Sequence, residues 1–143
     1  AIFRESCLPR YQRVVGALRP LGVKIYLHVC GDVRPILEMM ADTGVDAIEP
    51  LDPLGGVDLE DAKKRVGDRV CLIGGVNTLS LMNRTPEEVF AESISCIEKA
   101  GRDGGYILGA GDAIPRCARP ENVKAMVAAA RSYRYDEEAC IRA

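Results

Sequence analysis

The stretch Val23-Lys24-Ile25-Tyr26-Leu27-His28-Val29-Cys30-Gly31-Asp32 joins an apolar, β-branched run to a Gly-Asp turn. The run predicts a strand at 23–29, and the turn directs the chain into a helix near 33–43. His28, the only histidine of the 143 residues, lies two positions before Cys30. Because positions i and i+2 of a strand face the same side, both side chains can point at one ion. Imidazole and thiolate are ligands that zinc favours, so this strand end predicts a metal site.

The alternation of strand and helix continues on both sides of this stretch. A helix is predicted before it, at 5–18, and a loop at 75–84. Further strands are predicted at 45–49, 69–74 and 106–108, and helices at 59–66, 85–100 and 120–133. The chain therefore consists of four short strands, each followed by a helix. Such an order predicts an α/β fold with a parallel sheet and right-handed crossovers.

Two architectures fit this order: an open doubly wound sheet, or part of a (β/α)8 TIM barrel. A dinucleotide-binding sheet needs a glycine fingerprint, for which Gly74-Gly75 and Gly109-Ala110-Gly111 are too fragmentary. In a barrel, chemistry collects at the carboxyl ends of the strands. Polar or metal-competent side chains follow all four predicted strands, which favours the barrel, although four units make half of one. They are His28, Cys30, Asp32, Glu49, Asn77, Asp112 and Cys117.

Composition argues against several classes of protein. With 48% apolar and 28% charged residues, the chain can bury one ordinary core. A net charge of −2 without a basic stripe argues against a nucleic acid partner, and no apolar run reaches the length of a membrane span. The six cysteines are widely scattered, which is typical of a reduced cytoplasmic protein rather than a disulfide framework.

Six motifs in a fixed order resemble a known family. They are His28-Val29-Cys30-Gly31-Asp32, Asp46-Ala47-Ile48-Glu49-Pro50, Gly74-Gly75-Val76-Asn77, Thr85-Pro86-Glu87-Glu88-Val89, Gly105-Tyr106-Ile107-Leu108 and Pro120-Glu121-Asn122-Val123. Together they resemble the C-terminal half of the uroporphyrinogen decarboxylase-like superfamily, and within it the corrinoid-dependent, coenzyme M-type methyltransferase branch. The resemblance implies that residues 1–143 form one domain, the last four βα units of a (β/α)8 barrel. The chain also opens without methionine, as a processed product or a piece of a longer protein would.

The resemblance also implies a zinc ion at the barrel mouth. In this branch the ion holds a thiol substrate as thiolate, which accepts a methyl group from a methyl-corrinoid protein. The His-x-Cys ligand pair of the family falls on His28 and Cys30, and a strand-end glutamate that ligates in some members falls on Glu49. The remaining family ligand, a cysteine, is replaced here by Asp112. Either Asp112 or Cys117 would then complete the ligand set.

Asp32 and Asn77 are candidate catalytic residues by their places after the first and third strands. For each, a structural role competes with contact to substrate. Asp32 is expected first as a helix N-cap, because its carboxylate can accept a backbone N–H at a helix start. Asn77 can serve to brace its own loop.

Three functions remain open from the sequence. The first is zinc-dependent methyl transfer between a corrinoid protein and a small-molecule thiol or a related methylated substrate. The second is a metal-independent, uroporphyrinogen decarboxylase-like lyase, whose lineage uses arginines from the absent N-terminal half. The third is a non-catalytic half-barrel. Because a half-barrel leaves two exposed strand edges, it would associate with its missing half or with a second copy.

Overall fold

Four parallel strands form one sheet in the computed structural model, which describes residues 2–134. The strands are β1 (Tyr26–His28), β2 (Ala47–Leu51), β3 (Cys71–Val76) and β4 (Tyr106–Ala110). Their order in the sheet is the order in the chain, and each neighbouring pair is parallel. A doubly wound sheet reverses its strand order at a switch point, whereas a barrel does not. The predicted segment of a (β/α)8 barrel is therefore confirmed.

Helices connect and flank these strands within the described residues. They are α1 (Leu8–Leu18), α2 (Leu37–Ala41), α3 (Leu59–Val66), α4 (Thr78–Asn83), α5 (Pro86–Ala100) and α6 (Pro120–Ser132). A π-helical turn, Phe3–Cys7, precedes α1, and a 3-10 turn, Arg34–Ile36, precedes α2. No helix in residues 2–134 combines the length and the apolar character needed to cross a lipid bilayer.

Local sequence signals explain where α5 begins. The Thr85 side chain accepts the Glu88 backbone N–H at 3.3 Å, and the Glu88 carboxylate accepts the Thr85 backbone N–H at 2.8 Å. Pro86 occupies the first helical position, where a missing N–H costs nothing. This reciprocal capping box satisfies two donors that the helix cannot satisfy itself. The predicted helix at 85–100 is confirmed, with Thr85 as its cap.

The loop predicted at 75–84 is wrong, because α4 occupies most of it. Asn77 caps the new helix by accepting the Leu79 backbone N–H at 2.8 Å. At the other end, the Asn122 side chain of α6 donates to the carbonyls of Ser80, Leu81 and Arg84 at 3.3, 3.1 and 2.9 Å. The carbonyls at the end of α4 thus accept hydrogen bonds from a side chain 38 to 42 positions away, in addition to the backbone N–H groups of Arg84 and Arg119. Local patterns cannot reveal such a partner.

The two faces of the sheet have different environments. Leu27, Ile48 and Leu72 are in register and are buried under the helices, with exposed fractions of 8%, 0% and 0%. The opposite face carries Tyr26 and Ile107, which are 59% and 54% exposed. This second face, with Tyr26, Cys71, Ile73 and Ile107, is called the open face below. In a closed barrel the corresponding face points to the interior.

Candidate metal centre

His28, Cys30 and Asp112 meet at the carboxyl end of the sheet. His28 ends β1, Cys30 follows two residues later, and Asp112 follows two residues after β4. Their ligand atoms all lie within 4.8 Å of one another. His28 Nε2 lies 3.1 Å from Cys30 Sγ, which lies 3.7 Å from Asp112 Oδ1. Since β1 and β4 are the outer strands, the sheet must curve for these residues to touch.

Glu49 contacts the His28 imidazole at Nδ1, the ring nitrogen that does not face Cys30. In the β1–β2 register Glu49 is the partner of His28, and its Oε1 lies 2.8 Å from Nδ1. A carboxylate at this distance favours the N–H on Nδ1, which leaves Nε2 as a lone-pair donor facing Cys30. Glu49 is therefore placed to orient His28, and it lies outside the group of clustered ligand atoms.

The sulfur of Cys30 lies in a negative environment. Partial shielding from water raises the pKa of the thiol, and the charge and hydrogen bond of Asp112 raise it further. Asp52 and Glu49 add smaller electrostatic contributions in the same direction. A cation among these groups would offset that repulsion and favour the thiolate, so cation binding at this position would release a proton. Asp52, whose side chain caps the Pro53–Gly55 turn, is a contributor that the sequence did not single out.

Close glycine contacts fix the loops that carry the three ligands. A Cβ on Gly55, in the loop after β2, would lie 2.6 Å from the carbonyl oxygen of Gly31 in the loop after β1. A Cβ on Gly111, after β4, would lie 2.6 Å from Pro53 Cδ. A side chain at either glycine would force the loops apart. Because both positions are glycine, the loops can approach this closely, and the ends of β1, β2 and β4 lie together.

The remaining predicted residues lie in other contacts. Both carboxylate oxygens of Asp32 bind the Arg34 guanidinium at 2.8 Å, and Oδ1 also accepts the Arg34 backbone N–H. These hydrogen bonds hold the pKa of Asp32 at about 2. The prediction that Asp32 is the helix N-cap is wrong, because Val33 occupies the cap position of the 3-10 turn Arg34–Ile36. Asp32 lies one residue earlier and accepts the Arg34 N–H within a tight turn. The structure thus gives Asp32 a charged partner within its own loop.

Asn77 and Cys117 lie outside the cluster. Besides capping α4, Asn77 donates its backbone N–H to Glu92 Oε1 at 2.7 Å, so it braces the end of β3. Cys117 Sγ lies 3.0 Å from Met82 Sδ and does not belong to the group of clustered ligand atoms. Of the two residues that the sequence offered to complete the ligand set, the structure brings Asp112 to His28 and Cys30.

The donor set consists of an imidazole nitrogen, a thiol sulfur and a carboxylate oxygen. All three are ligands that Zn²⁺ accepts, and a catalytic zinc site uses three protein ligands with one open position. Hard cations such as Mg²⁺ prefer oxygen ligands throughout. The residues therefore fit zinc, with Glu49 as the carboxylate that supports the histidine.

Comparison with known proteins places the chain in one family. The profile of the family described as Uroporphyrinogen decarboxylase (URO-D) matches residues 1–133. A methylcobamide:CoM methyltransferase of Methanosarcina barkeri is 32% identical over 133 residues, covering 92% of this chain and 36% of that protein. A uroporphyrinogen decarboxylase of Methylococcus capsulatus is 37% identical over 97 residues, covering 68% of this chain and 27% of that protein.

A solved structure agrees with the sequence relatives. A methyltransferase from Methanosarcina mazei superposes with a TM-score of 0.77 at 30% identity, covering 89% of this chain and 35% of the other. The chain thus spans about a third of the length of these two methyltransferases. With a family profile over residues 1–133 and a shared fold, the chain belongs to the uroporphyrinogen decarboxylase (URO-D) family.

Proposed function

We propose that this chain forms part of a zinc-dependent methyltransferase that moves a methyl group between a corrinoid protein and a thiol. The observation that carries the proposal is the cluster of His28, Cys30 and Asp112, whose ligand atoms lie within 4.8 Å of one another. The relative described as a methylcobamide:CoM methyltransferase supports it, since its name couples a methylated corrinoid to a thiol.

Each residue of the cluster has a distinct role in the proposal. His28 and Cys30 supply nitrogen and sulfur, Asp112 supplies oxygen, and Glu49 keeps the imidazole oriented. Zinc held there would act as a Lewis acid that keeps a substrate thiol deprotonated at neutral pH. Three protein ligands leave one coordination position for that thiol. The rest of the relatives' length would supply the other half of the barrel and much of the substrate contact.

A metal-independent lyase is the second candidate. Relatives described as uroporphyrinogen decarboxylases are as similar to this chain as the methyltransferases are, at 31–37% identity. The arrangement of donor atoms favours methyl transfer, because a metal-free decarboxylation has no use for a thiol against an oriented imidazole. Metal content separates the two candidates.

Elemental analysis of the purified chain tests the proposal. The parent should carry about one zinc per chain, and His28→Ala and Cys30→Ser should each lose it because each removes a ligand. Cys117→Ser is the matched control, since it also removes an exposed thiol but one outside the cluster. Circular dichroism should show that all variants remain folded. A parent that binds no zinc, or variants that keep it, would rule the proposal out.

A further inference from the structure

We infer that Asp112 sets the metal selectivity of the candidate centre, making it a mixed nitrogen–sulfur–oxygen site that discriminates against soft, thiophilic cations such as Cd²⁺. The inference rests on the proposed function insofar as it takes the cluster to bind a metal. It concerns a different property, namely which cation the cluster prefers and which residue decides this.

The carboxylate of Asp112 is held in place by its own loop. Its Oδ1 accepts the backbone N–H of Ala113 at 2.7 Å and lies 3.7 Å from Cys30 Sγ. The preceding residue, Gly111, is buried and has no room for a side chain against Pro53. The oxygen therefore reaches the cluster from a fixed backbone and does not depend on a long flexible side chain.

Cys30 is the one thiol in the cluster within the part of the chain that the structure describes. Cys117 contacts Met82 instead, and Cys71 is on the open face. Cys96 is buried behind the sheet near Gly75, and burial raises the pKa of its thiol to about 11. Among the cysteines of residues 2–134, Cys30 alone therefore contributes a sulfur to the cluster, beside the carboxylate of Asp112.

The softness of the donor atoms then determines which cation the cluster prefers. Thiolate ligands select soft cations, whereas carboxylate oxygen suits harder ones, and Zn²⁺ lies on the border between them. An oxygen in place of sulfur costs Cd²⁺ more binding free energy than it costs Zn²⁺. A site with one thiolate should therefore favour Zn²⁺ over Cd²⁺ more strongly than the same site with two thiolates.

Competition titrations on the whole metal-free chain test this inference. Zn²⁺ and Cd²⁺ are titrated separately against a chromophoric chelator, for the parent and for Asp112→Cys. The substitution should raise the affinity for Cd²⁺ relative to Zn²⁺ by about tenfold or more. Asp68→Cys is the matched control, because it adds a thiol at an exposed position outside the cluster. It should leave the ratio at the parent value.

The absorption of the Co²⁺-loaded protein gives a second readout that does not depend on activity. The sulfur-to-cobalt charge-transfer band should roughly double in Asp112→Cys, since a second thiolate joins the metal. Asp112→Asn, which removes the charge at the same size, should weaken binding of both cations. An unchanged ratio and band in Asp112→Cys, or unchanged affinity in Asp112→Asn, would overturn the inference and remove Asp112 from the ligand set. Zinc that still depends on His28 and Cys30 would leave the proposed methyl transfer standing. A parent that binds neither cation would overturn both.

Discussion

Glu49 influences the candidate metal centre through the imidazole that it contacts. The family resemblance implied that Glu49 is a metal ligand, whereas in the structure its Oε1 lies 2.8 Å from Nδ1 of His28, the ring nitrogen that does not face Cys30. The spacing of His28 and Cys30 was sufficient to predict their contact, because both belong to one strand and its extension. The position of Glu49 depends on the register between β1 and β2, which the sequence of either strand does not determine.

A substitution at Glu49 distinguishes a metal ligand from a carboxylate that only orients His28. Glu49→Gln keeps the size of the side chain and removes its charge, so it should weaken zinc binding by about 10- to 100-fold, as loss of a supporting carboxylate does. The zinc affinity is measured by chelator competition, with Glu60→Gln, a change at a distant exposed carboxylate on α3, as the control. If Glu49→Gln abolished binding as completely as His28→Ala, Glu49 would be a ligand, as the sequence predicted.

At the scale of elements, local signals located most helices and strands, and long-range contacts explain the exceptions. The predicted helix at 59–66 matches α3, whose Asp58 cap accepts the Asp61 N–H. The short strand β2 runs on to Leu51 and β4 to Ala110, beyond the predicted ends, because neighbouring strands continue to pair there. Helix α4 was missed because α6 completes its C-terminal end.

Asn122 should be important for the stability of α4. Asn122→Ala would remove three hydrogen bonds from carbonyls at the end of that helix. The carbonyls of Ser80 and Leu81 keep the backbone N–H donors of Arg84 and Arg119, whereas the partly buried carbonyl of Arg84 loses the donor that Asn122 supplies. The free energy of unfolding should fall by about 1–3 kcal/mol, the cost of leaving a buried polar group unsatisfied. Urea denaturation measures it, and Asn83→Ala, an exposed change on α4 itself, is the control. Equal effects of the two substitutions would contradict this role for Asn122.

Gly111, in the loop after β4, should be important for the position of Asp112. Gly111→Ala would place a methyl group 2.6 Å from Pro53 Cδ, so the loop must shift and carry Asp112 with it. We expect zinc affinity to fall by about tenfold or more, comparable to the loss of a supporting contact. Gly16→Ala is the control, because a Cβ there meets nothing within 4 Å and alanine favours the helix. Unchanged zinc affinity in Gly111→Ala would show that the contact does not position the ligand.

At the scale of the whole molecule, the helices of residues 2–134 cover one face of the sheet and leave the open face uncovered. Among the described residues β1 pairs only with β2, and β4 only with β3, so each outer strand has an unpaired edge. The open face exposes Tyr26 on β1 and Ile107 on β4, the two outer strands. The sequence predicted this half-barrel from four strand–helix units. It could not show that the ends of β1 and β4 curve together, since that depends on contacts between their loops.

An open apolar face with two free edges should make the isolated chain self-associate. Ile107→Lys places a charge on that face, on the outer strand β4, and should shift the chain toward monomer. Light scattering after size exclusion, over a range of concentrations, measures this. Leu79→Lys is the control, because Leu79 is 45% exposed against 54% for Ile107 but lies on α4, away from the open face. If the parent is already monomeric at every concentration, or if both substitutions act alike, the open face is not the surface through which copies associate.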